Sequence, residues 1–142
     1  MSGAIKPVLI DTDVIVNHLR GRQQDTQFLK RVMMEEEFRG LYSAVTEVEL
    51  FAAEELPPAQ TEDIKSILDN LQRVELSSPI AQLAGQLLGK YRKSHGLTMP
   101  DAIIAASALT CGAVLATRNT RHYTFISGLL LTSPDIFAGW QK

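Results

Sequence analysis

The chain reads as a parallel-type α/β sandwich, and three observations carry that reading. Pro7-Val8-Leu9-Ile10 and Ala113-Val114-Leu115-Ala116-Thr117 are near-continuously apolar, as strands buried on both faces are. Longer segments repeat apolar residues at i, i+3, i+4 and i+7, the helical period. The two kinds of segment alternate along the chain, the pattern of strands joined by crossover helices.

Composition agrees. The 142 residues suit one domain, 1–142, and at 45% hydrophobic and 21% charged they can fill a core. A net charge of −2 gives no global sign of nucleic-acid binding, so local clusters have to be sought. Cys111 is the one cysteine. It can form no intrachain disulfide, it belongs to no metal-type spacing, and in its apolar setting it reads as a small buried hydrophobe. The N-terminus has no charged stretch followed by an apolar core, and the longest uncharged run, Ala102–Thr117, is short for a bilayer. The expectation is a soluble cytoplasmic protein.

The elements follow in order. After the first strand, Asp13 is placed to cap a short helix through Leu19, and Gly21 ends it. Asp25 is placed to cap the next, with Phe28, Leu29, Val32 and Met33 on one face and Glu35-Glu36-Glu37 as its solvated end. Gly40 punctuates before a short strand, Leu41-Tyr42-Ser43. A helix is expected from Thr46 to about Glu54, where Pro57-Pro58 forces a break. Thr61 starts another, with Ile64, Ile67, Leu68 and Leu71 on its stripe. Arg73–Leu76 alternates like an edge strand. Ser78-Pro79 suits an N-cap and N1 pair, followed by a stripe of Ile80, Leu83, Ala84, Leu87, Leu88 and Tyr91 that is core or dimer surface. Pro100-Asp101 opens a deeply packed helix through Cys111. A turn at Thr120–Tyr123, a last strand at Leu129–Thr132 and a helix capped by Ser133-Pro134, with Ile136, Phe137 and Trp140 buried, complete the chain.

Three acids share an unusual context. Asp11 ends a strand, and ligands in open α/β sheets bind beyond the carboxyl ends of strands. Glu49 and Asp101 each occupy the fourth position of a Thr-x-x-acid pattern before an apolar run. Taken singly, these patterns are capping boxes or dipole-favoured acids. Taken together, they can converge on one rim of the sheet. Converging carboxylates repel unless a cation sits among them, and all-oxygen ligands suit Mg²⁺ or Mn²⁺ rather than zinc. Such a cation can hold a phosphodiester and lower the pKa of an attacking water.

Four pieces now carry a resemblance. Asp11-Thr12-Asp13-Val14-Ile15, Ser43-x-x-Thr46-x-x-Glu49-Leu50, Asp101–Ala108 and Thr117-Arg118-Asn119-x-x-His122-Tyr123, in this order and spacing, resemble the PIN-domain ribonucleases of the VapC type, toxins of bacterial toxin–antitoxin pairs. The resemblance covers almost the whole chain. It implies a three-layer α/β/α fold with a central parallel sheet and RNA cleavage dependent on Mg²⁺ or Mn²⁺. Asp11, Glu49 and Asp101 match the acidic metal-binding positions. Asn119 matches a fourth catalytic position that is Asp in many relatives, and its neutrality argues for one metal site rather than two. Thr117 matches a hydroxyl that orients a carboxylate or water, and Thr12 stands beside Asp11 in support. Asp13 matches a variable position and reads as a helix cap in preference to a ligand, and Glu47 as solvated. The resemblance also implies a homodimer and a small antitoxin. The antitoxin's tail would wrap an apolar groove, with Val48, Phe51 and the helix from Ile64 to Leu71 as candidate walls, and carry an Arg or Lys into the acidic site.

Basic clusters occur at Arg20-Gly21-Arg22, Lys90–His95, and Arg118 with Arg121-His122. Arg118 and Arg121 flank the fourth motif position and are the candidates for RNA phosphate contacts, which supply affinity without sequence reading. His95 and His122 read as structural. Two rival functions stand against the nuclease. Asp11-x-Asp13 after a strand opens the haloacid-dehalogenase-type phosphatases, whose first Asp is a nucleophile, but Val14-Ile15 replaces the usual Gly-Thr and no later Asp-Asp pair occurs. A non-catalytic binding subunit, with its acids serving only as caps, is the other.

Overall fold

The structure, a computed structural model, describes residues 4–52 and 57–137. Expectations for Glu54 and Trp140, and for the side chains of Ile136 and Phe137, fall outside what is described. Among the described residues, five strands form one sheet: β1 (Lys6–Ile10), β2 (Phe38–Ser43), β3 (Gln72–Val74), β4 (Val114–Ala116) and β5 (Leu131–Thr132). Every pairing is parallel, and the spatial order is β3-β2-β1-β4-β5. The helices are α1 (Thr12–Leu19), α2 (Gln23–Met34), α3 (Ala44–Phe51), α4 (Pro58–Asp69), α5 (Ser78–His95), α6 (Met99–Cys111) and α7 (Pro134–Phe137), with a 3₁₀ turn at Thr120–His122.

The three-layer arrangement follows from alternation along the buried strands. Val8 and Ile10 face one core with Val14 and Ile15 of α1, Phe28, Leu29 and Val32 of α2, and Ile64, Ile67 and Leu68 of α4. Leu9 faces the opposite core with Leu41, Leu115 and the buried residues of α5 and α6. Both faces being covered is why β1 reads as a continuous apolar run. α6 is apolar all round, with Ala102, Ile104, Ala105, Ala106 and Ala108 fully buried, and its small residues let α5 pack close. Ile80, Ala84, Leu87 and Leu88 of the α5 stripe are buried in the same core, with Leu83 and Tyr91 partly buried against it.

Several element starts differ from the sequence reading, and each has a local cause. Asp11, not Asp13, is the N-cap of α1, accepting from Thr12 N at 2.8 Å. Arg22 occupies the N-cap of α2 without a side-chain cap, because Asp25 is buried in an ion pair instead. Gly40 lies inside β2 rather than before it. A Cβ there would stand 2.6 Å from Leu71 Cδ2 and 2.8 Å from Val32 Cγ1, so glycine lets these side chains pack directly on the strand, and a larger residue would make them shift. Ser43 caps α3 through Val45 N; Thr46 is turned into the interior and is not the first residue of a capping box. α4 starts at Pro58, three residues before Thr61, and Ser77 rather than Ser78 caps α5. Thr98 does cap α6, accepting from Asp101 N at 3.4 Å. Cys111 is only half-buried against the core edge. Glu47 is held by Tyr42 Oη and Arg73 rather than free in solvent.

Candidate active site

The strand order places the site. Successive connections run outward through β1, β2 and β3, and the chain then returns to lay β4 and β5 on the other side of β1. The crevice between the carboxyl ends of β1 and β4 is therefore the topological switch point, where open α/β sheets bind ligands. Asp11 follows β1 and Thr117 follows β4. Asp11 N closes the seam by donating to Ala116 O at 2.9 Å.

Asp11 is buried and heavily partnered. Its Oδ2 accepts from Thr117 Oγ1 at 2.8 Å and lies 3.0 Å from Tyr123 Oη. Tyr123 is fully buried, and the same phenol lies 3.0 Å from Asp101 Oδ1. One phenolic hydrogen serves one carboxylate at a time, so the bridge is complete when Asp11 retains its own proton. The energetics agree: burial first, then the Asp13 charge, pushes the Asp11 carboxyl up to about 7, against the opposing bonds from Thr117 and Tyr123. Burial raises Tyr123 as well, followed by the Asp11 and Asp101 charges, so the phenol stays protonated and donates.

The remaining walls are set by hydroxyls and amides. Thr12 Oγ1 stands 2.6 Å from Glu49 Oε1 and 2.9 Å from Thr46 Oγ1. Its single hydrogen goes to the carboxylate, the stronger acceptor, and Thr46 donates in turn. Asp101 Oδ2 faces His122 Nδ1 at 3.2 Å. Asp13 is not a cap. Its Oδ2 accepts from Arg118 N at 3.1 Å and Asn119 Nδ2 at 2.9 Å, with Thr117 Oγ1, whose hydrogen goes to Asp11, at 3.4 Å, while its buried Oδ1 has no partner among the described residues. Burial raises the Asp13 carboxyl too, with the backbone bonds from Arg118 and Val14 opposing it.

Beneath these groups lies a buried ion pair. Asp25 is fully buried and takes a bidentate grip from Arg118, Nη2 at 2.8 Å and Nε at 3.2 Å. Asn17 Nδ2 adds a contact at 3.4 Å. Arg118 also pairs with Asp135 at 2.9 Å. These bonds hold the guanidinium above its ordinary pKa, the Asp25 contact most of all. Arg118 is thus committed to the protein, and its assignment to RNA phosphate is withdrawn: its backbone N–H and its salt bridge fix the loop after β4. Arg121 is exposed and lines a small recess of about 140 Å³ with His95, Thr98, Asp101 and His122, so it stays available to a phosphate.

Asp11, Asp13, Glu49 and Asp101 line one open pocket of about 450 Å³ with Asn119, Asn17, Arg20 and His122. Among the described residues no three His, Cys, Asp or Glu side chains close on a single point. The donor chemistry nevertheless suits a hard divalent cation. Four carboxylates line it, one carboxylate oxygen is orphaned, and burial followed by the Asp13 charge raises Asp11. Mg²⁺ keeps several waters and takes one or two carboxylates directly, so it does not require three at contact distance.

The profile of the PIN domain matches residues 8–125. The chain belongs to the PIN-domain family. Ribonuclease VapC19 of Mycobacterium tuberculosis is 30% identical over 122 residues, 85% of this chain and 95% of that protein. Ribonuclease VapC10 of the same organism is 28% identical over 123 residues, covering 86% and 90%. Among solved structures, FitAcB from Neisseria gonorrhoeae superposes with a TM-score of 0.68 at 26% identity over 95% of this chain and 99% of that one. The DNA-bound VapBC of Salmonella typhimurium superposes with 0.76 at 20% identity over 92% and 99%, a likeness of fold. Family membership removes the haloacid-dehalogenase alternative.

In this PIN domain, the structure brings Asp11, Thr12, Glu49, Asp101 and Asn119 to one pocket, with Thr117 beneath it. Asn119 acts on Asp13 through its Nδ2 rather than standing free. Three residues of the site went unread in the sequence: Asp13 as a pocket wall, Asp25 as the loop anchor, and Tyr123 as the bridge between Asp11 and Asp101. Asp13 and Tyr123 carried a signal, since one lies in the first motif and the other closes the fourth; Asp25 carried none.

Proposed function

We propose that this PIN domain is a Mg²⁺- or Mn²⁺-dependent ribonuclease and the toxin of a toxin–antitoxin pair. One observation carries the reading: four carboxylates from three separate chain regions line a single pocket at the switch point. Caps alone need no such convergence. The naming of the relatives as VapC ribonucleases supports the same reading.

Asp11, Glu49 and Asp101, with Asp13 beside them, would hold the cation, and Asn119 would supply no charge for a second ion. The bound ion would lower the pKa of the attacking water and neutralise phosphate charge. The chain's own residues do the rest. Tyr123 and Thr117 orient Asp11, Thr12 orients Glu49, and Asn119 with the Arg118 N–H holds Asp13. Arg20 and Arg121 stand at the pocket's edges, where they would attract RNA phosphates. Incubating RNA with Mn²⁺ and with EDTA, wild type beside Asp11→Asn, tests this. Cleavage is expected only for wild type with metal; equal cleavage by the variant would refute it.

The antitoxin reading rests on an apolar groove of about 340 Å³, lined by Val16, Leu19, Leu50 and Ile64, that meets the catalytic pocket at Glu49 and Arg20. Val48 and Phe51 are exposed nearby on α3. Ile67 and Leu68 face the core and do not line this groove, so they drop out as walls. A partner segment lying in this groove would place a basic residue among the carboxylates, where a guanidinium's rigid fork finds acceptors. Solved neighbours include a toxin–antitoxin complex from Klebsiella pneumoniae, 26% identical over 89% of this chain and 97% of that one, with a TM-score of 0.68. A homodimer belongs to the same proposal, checked by sedimentation. So does a cytoplasmic location, alongside RNA. No helix among the described residues is long and apolar enough to cross a membrane.

A further inference from the structure

A second cavity opens beside the catalytic pocket. It measures about 600 Å³ and shares Asp13, Asn17 and Asn119 with that pocket. Its own walls are Arg22, Gln23 and Gln24 at the start of α2, over a floor made by the Asp25–Arg118 ion pair. The volume lies in the range of small-ligand sites, about 300–1,000 Å³.

The wall chemistry selects the occupant. Asp25 and Arg118 neutralise each other, and Arg22 is the remaining cation of the lining, able to attract a phosphate but not to choose a base. Four carboxamides remain: Asn17, Gln23, Gln24 and Asn119. Hydrogen bonds already spent fix the use of three of them. Asn17 Nδ2 donates to Asp25 and Asn119 Nδ2 to Asp13; no donor reaches either Oδ1 among the described residues. Gln24 Oε1 accepts from Arg118 Nη2 at 3.4 Å, which leaves its NH₂ to donate outward. Gln23 and the Arg22 side chain make no hydrogen bond among the described residues. The cavity therefore presents fixed acceptors on one side and free donors on the other, next to the carboxylates.

We infer that this cavity is a nucleobase subsite, in which Asn17, Gln23, Gln24 and Asn119 read the edge of one unstacked RNA base beside the bond to be cleaved. The inference rests on the ribonuclease reading above. Sequence-specific RNA recognition uses splayed bases held by their hydrogen-bonding edges and by flat guanidinium faces, and Asn or Gln pairs naturally with a neighbouring donor and acceptor on a base. The two acceptors, Asn17 Oδ1 and Asn119 Oδ1, call for two base hydrogens, which an exocyclic amine supplies and the single uracil N3–H does not. Adenine, cytosine and guanine carry such an amine; uracil does not. Arg22 offers charge and a flat face, neither of which distinguishes bases.

The test uses the whole chain in metal-free buffer, titrated with the 5′-monophosphates of adenosine, cytidine, guanosine and uridine while backbone amide NMR signals are followed. A second arm cleaves a random RNA 12-mer pool with Mn²⁺ and sequences the cut ends. The expected result is perturbation at Asn17, Gln23, Gln24 and Asn119, with at least one amine-bearing nucleotide binding about tenfold more tightly than UMP. Gln23→Ala and Gln24→Ala should lose most of that discrimination and flatten the base preference at one position beside the cut. Arg22→Ala should weaken all four nucleotides alike. Both glutamines are exposed, and the amide spectra of the variants report their folding directly. Equal binding of all four nucleotides, shifts confined to other surfaces, or unchanged discrimination in both glutamine variants would overturn the subsite. A pool cut without any base preference would also overturn it while leaving the nuclease standing. A pool left uncut by wild type, with nucleotide discrimination intact, would instead sink the nuclease and uphold the pocket.

Discussion

Replacing Asp11 by Asn should stabilise the metal-free protein at alkaline pH and destabilise it by about 1–2 kcal/mol at acid pH. In the fold the Asp11 carboxyl is pushed from the ordinary 3.8 up to about 7, and each tenfold change in proton affinity is worth about 1.4 kcal/mol. Ionising Asp11 in the native state therefore costs about 4 kcal/mol more than in the unfolded chain. Below about pH 4 the group is protonated in both states and the penalty is absent. Between about 4 and 7 the folded state keeps a proton that the unfolded state has lost, so stability falls as pH rises; above 7 the penalty is complete. Asn carries no such titration and can occupy the same bonds. Its oxygen accepts from Thr12 N, and its NH₂ faces Thr117 and Tyr123, whose hydroxyls can turn to accept, with the Tyr123 hydrogen passing to Asp101. Imperfect replacement of these bonds takes back about 1–2 kcal/mol, leaving a net gain of about 2 kcal/mol at pH 8. Urea unfolding of both proteins in EDTA at pH 4.5, 6, 7 and 8 measures the difference. A variant less stable than wild type at pH 8, or a difference that does not grow with pH, would refute the account of Asp11 as a strained, partly protonated acid.

Tyr123→Phe removes only the hydroxyl that bridges Asp11 and Asp101. Loss of such an orienting partner costs about 10–100-fold in metal affinity or activity, to be read by Mn²⁺ calorimetry beside RNA cleavage, with equal affinity counting against the bridge. Mn²⁺ at 100 times its dissociation constant should stabilise wild type by about 2.7 kcal/mol, and melting curves should show a smaller gain for Asp101→Asn. Arg118→Ala strands the fully buried Asp25 carboxylate, at about 3–5 kcal/mol, whereas Arg121→Ala should leave the melting temperature in place and lower RNA affinity; the reverse pattern would undo the assignment of the two arginines. Gly40→Ala forces a methyl against Leu71 and Val32 and should cost about 1–3 kcal/mol of stability by denaturant unfolding.

The sequence alone settled what local pattern can settle. The unbroken apolar run of β1 required cover on both faces, and helix-period stripes such as Ile64, Ile67 and Leu68 supplied it, so the parallel α/β class was legible without coordinates. Asp11 and Asp101 were legible for a related reason: one follows a strand and the other opens a helix, and in this topology those ends meet at one rim; Glu49, in the last turn of α3, was legible only through its motif. The tertiary structure decided how the acids are used. Thr46-x-x-Glu49 has the form of a capping box, yet Ser43 makes the cap and Thr46 turns inward to Thr12. Asp13 and Asp25 look like caps, but their carboxylates are claimed by Arg118 and Asn119, about a hundred residues further along the chain. The same contacts withdraw Arg118 from RNA and let Tyr123 join Asp11 to Asp101. A side chain at a helix start can satisfy a nearby N–H or a distant donor equally well. Local spacing shows only the first choice, and the packing of the loop after β4 over the mouth of the sheet makes the second.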